Sequence, residues 1–114
     1  MNFLLVLKII AALGTAGTGL LALVKPTAVH GFTGLLADGP RGISEIRSIF
    51  GGLFIALGVA PFIFGEPAYR VLGLGYLAIA LVRLVSIFLD KSTASSNWIS
   101  LAIEIDFGVI LILR

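Results

Sequence analysis

Five ionisable side chains within the long apolar runs group together: Glu45, Arg47, Arg83, Glu104 and Asp106, with Lys8 apart. Carboxylates and arginines brought together in apolar surroundings can do three things. They can fix helix register as a buried ion pair, receive the polar group of a ligand, or supply a carboxylate that works as acid or base. Other chemistry has less support. The chain has no cysteine, which removes disulfides, thiol redox chemistry and thiolate metal sites. Its single histidine, His30, cannot form a two-histidine metal or haem site within one chain and reads as a loop or interface residue. No nucleophile–base pair, phosphate-binding glycine loop or metal-spaced His/Glu set occurs, so no catalytic residue, metal ligand or cofactor is assigned.

The charges must be positioned by long apolar helices. Of 114 residues, 59% are hydrophobic and only 12% charged. Soluble domains carry about 25% charged residues. Both departures predict one integral membrane domain over residues 1–114, with the lipid bilayer as its first partner. The net charge of +2 is spread along the chain without a basic stripe, which argues against a nucleic-acid partner.

Four spans are predicted. The first runs from Asn2 to Val24, a retained helix rather than a cleaved signal, because Met1–Leu5 lacks a basic segment and no clean cleavage site follows. Its one charge, Lys8, is expected to reach the interface. The small residues from Ala11 to Gly19 read as a close-packing face, within this bundle or against another chain. Residues 25–42 read as a short interfacial or re-entrant segment, with a turn at Asp38-Gly39-Pro40. The second span runs from Ser44 to Phe64 with Ser44 or Gly42 as cap, the third from Ala68 to Leu89, and the fourth from Asn97 to Leu113, capped by Ser95, Ser96 or Asn97. Gly65-Glu66-Pro67 is a very short turn. The expected fold is an all-α antiparallel four-helix bundle with both termini on one side, side A.

Depth then groups the charges. Arg83 is seven residues before Asp90, and Glu104 seven residues after Asn97. At 1.5 Å per residue both lie roughly 10 Å in from side B. They form the expected central pair, with Glu45 or Arg47 joining from the second span. Residues two apart are about 200° apart around a helix, so Glu45 and Arg47 cannot share a face, nor can Glu104 and Asp106. One of each must turn to the mouth, the headgroups or a partner chain. Gly51, Gly52 and Ser86 are either close-packing positions or neighbours of a ligand. A cavity between the second, third and fourth spans, open to side B, is expected, bordered by Glu45 or Arg47, Gly52, Arg83 and Glu104.

The string Glu45-Ile46-Arg47-x-x-Phe50-Gly51-Gly52, followed by Gly58, resembles the hallmark of a family of small bacterial four-helix membrane proteins of unknown function, akin to the DoxX-like group. Arg83-x-x-Ser86 and Glu104 are similar to the rest of that pattern, and Asp106 is an addition to it. The resemblance implies four helices and a shared polar centre, and no activity. The expected setting is a bacterial-type inner membrane. Lys and Arg near the helix ends number three on each side, so charge does not decide orientation, and cytoplasmic termini are the orientation kept. The expected role is an accessory or scaffold subunit of a larger membrane complex, or a homo-oligomer. The alternatives are a binder or carrier of a small amphiphile (lipid, quinone or isoprenoid), and a membrane enzyme using Glu104 or Glu45 as acid or base.

Overall fold

A computed structural model describes residues 2–114. Apolar runs of helix-forming residues, with several of the glycines and prolines at turns or helix contacts, give an all-helical chain with no strand among the described residues. Helix α1 spans Phe3–Val24, with the Asn2 side chain accepting the Leu5 N–H at 2.7 Å as its cap. A short 3₁₀ turn, Pro26–Ala28, leads into α2, Val29–Thr33, which Gly34 ends at φ +77°.

The second long helix is assembled from three pieces. Helix α3 is Gly39–Glu45, a π-helical stretch covers Ile46–Leu53, and α4 is Phe54–Phe64. It starts five residues earlier than expected from Ser44. Pro40 lies in its first turn, where a fixed φ and a missing N–H suit a helix start, rather than in a separate turn. Gly65, at φ +82°, reverses the chain directly into α5, Glu66–Leu89. Helix α6 is Ser95–Ile112; its N-cap is Ala94, with no side-chain cap. Ser95, Ser96 and Asn97 therefore do not cap it, because the helix begins at Ser95 itself. All four long helical stretches are long and apolar enough to cross a membrane.

Small residues decide how these helices meet. A Cβ on Gly58 would lie 2.6 Å from both the Ala12 carbonyl oxygen and the Ala16 nitrogen, and one on Gly19 would lie 2.8 Å from the Gly51 oxygen. Gly51 itself faces Leu23. The α1–α4 pair thus packs backbone to backbone along Ala12, Ala16 and Gly19. The α5–α6 pair packs in the same way, with Gly73 against Leu111 and Ile112, and Gly108 against Leu77. The close-packing face expected between Ala11 and Gly19 is used inside the chain, although Gly17 meets nothing.

The two pairs join through fewer contacts. Tyr76 donates a hydrogen bond to Thr15 Oγ1, whose own proton goes to the Ala11 carbonyl at 2.8 Å. The Phe107 ring lies on Gly14, and Tyr69 meets Phe62 edge-on. The result is a slab of 44 × 31 × 17 Å between Cα extremes.

Burial differs from that of a soluble protein mainly on the outside. The interior holds Leu72, Ile87, Leu101 and Leu111 beside Ala11, Ala12, Ala22 and Ala80, together with the polar Lys8, Thr15 and Glu104. Phe3, Leu36, Phe64, Phe88 and Leu89 are among the many large apolar side chains that point outward.

Candidate functional site

Three polar sites are held by these helices, and each follows from how a pair of them packs. The first joins α5 to α6. The turn between them is short, so side chains seven residues on either side of it face each other. Arg83 donates from Nε to Glu104 Oε1 and from Nη2 to Glu104 Oε2, both at 2.7 Å. This is a two-pronged guanidinium–carboxylate pair. Its Nη1 donates to Asn97 Oδ1 at 2.7 Å, and Asn97 in turn donates to the Ser92 carbonyl at 3.0 Å and to Ser92 Oγ at 2.9 Å. Both carboxylate oxygens are thus occupied. The carboxylate is tied to the turn through two further residues. The arrangement clasps the α5–α6 hairpin and engages both oxygens of Glu104 with one guanidinium group.

The expected central pair is therefore present, but Glu45 does not join it. Glu45 accepts from Arg41 at 2.5 Å, one helical turn away on an exposed surface. Early helix formation at Gly39 put Arg41 within reach. Arg47 is exposed and has no ion pair among the described residues. Gly51 lies beside Leu23, one residue before α1 ends, so Arg47 stands at the level of the helix ends. Of the two adjacent glycines, Gly51 close-packs, while a Cβ on Gly52 would meet nothing nearer than the Arg47 carbonyl at 4.0 Å. Gly52 thus faces outward rather than into a cavity between helices. Ser86 donates to Asp90 Oδ2 at 2.6 Å, along the outer side of α5.

The second site was not foreseen. Lys8 is 3% exposed, and its ammonium pairs with Glu66 at 2.5 Å and lies 5.9 Å from the centre of the Tyr69 ring. It does not extend to the surface. Glu66, placed in the first turn of α5 by the reversal at Gly65, comes to it instead. A pocket of 680 Å³ opens here, where α1 and α5 begin and α6 ends. It lies at the end opposite to the Arg83–Glu104 pair. Asn97's role as a bridge and the Lys8–Glu66 pair both escaped sequence reasoning. The first looked like a cap, and the second joins residues with no periodic relation.

The third site is a single residue. Glu104 turns inward, so Asp106, two positions on, must turn out, and it is exposed. Its neighbours on that face of α6 are apolar and exposed: Ile99, Ile103 and Val109. Asp106 has no hydrogen bond or ion pair among the described residues. The adjacent Phe107 touches Gly14, which lies halfway along α1, so Asp106 stands at mid-height of the slab.

Comparison with known proteins adds a family and nothing more specific. Residues 3–114 match the model of DUF4345, a domain of unknown function, and the chain belongs to that family. No curated protein and no solved structure matches it.

Proposed function

Because membership of that family brings no activity with it, we propose a role on physical grounds: the protein crosses a membrane four times as an antiparallel bundle and is an accessory subunit that docks onto a larger membrane complex through the α6 face bearing Asp106. The many large apolar side chains on the outside support insertion, since they suit a lipid solvent, and the polar Lys8, Thr15 and Glu104 are kept inside. The contact order supports the antiparallel arrangement, because Gly58 meets Ala12 and Ala16 whereas Gly51 meets Leu23. The proposed setting is a bacterial-type inner membrane with cytoplasmic termini, helical spans being foreign to the barrel proteins of outer membranes. Kinship to the DoxX-like group belongs to the same proposal and is supported by the four-span layout and the Glu45–Gly52 string.

Asp106 is the observation that carries the docking role. An aspartate at the centre of a lipid-exposed helix costs about 2.5–3.5 kcal/mol on insertion scales. Nothing in the chain offsets it. A partner helix bearing Lys or Arg at the same depth does. A second copy does not supply one: the residues at this height, near Gly14 of α1, Gly58 of α4 and Leu77 of α5, include no cation, and Arg83 is already engaged by Glu104. Two Asp106 side chains facing each other would add a like-charge repulsion. The occupant is therefore a different membrane protein.

The rival roles have less geometric support. An acid–base enzyme needs an available carboxylate, but Glu104 is held at both oxygens and Glu45 is held by Arg41. A ligand bound at the Arg83–Glu104 pair would have to break a satisfied clasp.

The expected result is that the wild-type chain, extracted from its own membrane, keeps a stoichiometric partner in native mass spectrometry. Asp106→Leu is expected to lose it while retaining or raising its melting temperature, because the exposed side chain makes no hydrogen bond or ion pair among the described residues. A partner retained by Asp106→Leu, or a wild-type chain that leaves the membrane alone, would defeat the proposal.

A further inference from the structure

The pocket beside Lys8 has a charge imbalance that the docking role does not use. Lys8 and Glu66 neutralise each other at 2.5 Å. Arg70 lies one helical turn after Glu66, the spacing at which a glutamate and an arginine on one helix ordinarily pair. Glu66 is turned to Lys8 instead. Arg70 Nε is left buried with no hydrogen-bond partner, the one buried side-chain polar atom among the described residues in that state. Buried donors of this kind are rare, and each asks for an explanation. Arg114 borders the same pocket and has no ion pair among the described residues. The pocket wall therefore carries two uncompensated guanidinium groups. The rest of the wall is largely apolar, with Leu4, Leu5 and Pro67 among its residues.

We propose that this pocket holds the phosphate-bearing headgroup of an anionic membrane lipid, with Arg70 and Arg114 on the phosphate and Leu4, Leu5 and Pro67 against the upper part of its chains. This rests on the four-span reading, which puts the pocket at headgroup depth, and it is independent of docking at Asp106. Guanidinium groups suit phosphate because their planar N–H donors match its oxygens in pairs. The volume of 680 Å³ lies well within the range of ligand sites and far exceeds the needs of a bare phosphate ion. A net anionic headgroup is favoured over a zwitterionic one, since the cation of a choline headgroup would sit beside two arginines. Basic pockets between helix ends recognise lipid headgroups on the same physical grounds.

The test is native mass spectrometry of delipidated protein offered phosphatidylglycerol, phosphatidylcholine or inorganic phosphate at equal concentration. One phosphatidylglycerol is expected to be retained in preference to phosphatidylcholine. Arg70→Gln and Arg114→Gln are each expected to weaken that preference about fivefold, the effect of removing one basic residue near an anionic lipid. Arg47→Gln, at the other end, is expected to leave it unchanged. Arg114 is exposed, so its variant reports on the site even where Arg70→Gln perturbs folding. Equal retention of the two lipids, or unchanged preference in Arg114→Gln, would overturn the proposal. Displacement of the lipid by inorganic phosphate at that concentration would overturn the lipid as source in favour of a soluble phosphate compound. Failure of the spanning reading itself would show differently, as protein that binds neither vesicles nor detergent.

Discussion

Arg83→Ala and Glu104→Ala are each expected to destabilise the protein by about 3–5 kcal/mol, the usual consequence of leaving one member of a buried ion pair alone. Glu104 is the more enclosed partner, with its side chain 10% exposed against 32% for Arg83. Arg83→Ala should therefore be the worse of the two, because it strands the deeper charge. Asn97→Ala removes a hydrogen bond to a charged group, for which about 1.5–3 kcal/mol is usual, together with the two hydrogen bonds to Ser92. The double variant Arg83→Met with Glu104→Leu should recover much of the loss, since apolar residues of similar volume replace buried pairs well. Thermal unfolding in a mild detergent measures all four. A double variant no more stable than Arg83→Ala would mean that the clasp is not what holds α5 to α6. If the double variant also keeps the partner proposed above, the clasp is structural and lies outside the docking face.

Gly58→Ala is expected to be the most damaging change of a single small residue, by about 1–3 kcal/mol or more. The new methyl group would meet backbone atoms of Ala12 and Ala16 at 2.6 Å, and backbone cannot rotate away. Helices α1 and α4 must then separate along their whole contact. Gly108→Ala should be milder, because its two nearest neighbours, Leu77 Cδ2 at 2.5 Å and Cγ at 2.6 Å, belong to a side chain that can change rotamer, while the nearest backbone atom, the Leu77 nitrogen, is 3.2 Å away. Gly17→Ala and Gly75→Ala meet nothing within 4 Å and should be neutral or slightly stabilising, since alanine is the better helix former. The order Gly58, Gly108, Gly17 in loss of melting temperature checks the packing. Equal effects at Gly17 and Gly58 would mean that the Gly17 face is also covered in the folded protein.

Much of the fold could be read from the chain because its signals are local. Long apolar runs bounded by Pro26, Gly65 and the polar residues after Asp90 mark the four long helices, and equal distances from one short turn bring Arg83 to Glu104. The spacing rule also required Glu104 and Asp106 to part. Which of them turned inward was decided by the packing of Gly108 on Leu77 and Leu111 on Gly73, and that is tertiary information. Lys8 and Glu66 are 58 positions apart, and nothing in either neighbourhood announces the other. The π-helical stretch at Ile46–Leu53 lies over the Gly51-Gly52 pair. Two glycines weaken the α-helical preference there without specifying what replaces it. Depth alone allows Glu45 or Arg47 to join the central pair, but neither does: Arg41 is nearer to Glu45 once the helix begins at Gly39, and Arg47 stands at the level of the helix ends.

The partner-docking role is tested most directly by a photoactivatable crosslinker placed at Ile103, on the Asp106 face, and in a separate chain at Leu13, an exposed residue of α1 at the same height. Illuminated in the native membrane, the Ile103 chain is expected to yield one protein adduct of defined mass. Peptide mapping should place the joint in a membrane helix carrying Lys or Arg. Leu13 should give no such adduct, and Asp106→Leu should abolish the one at Ile103. An adduct that forms equally from both positions, survives Asp106→Leu, or joins two copies of this chain would contradict the assignment of the Asp106 face to a different membrane subunit.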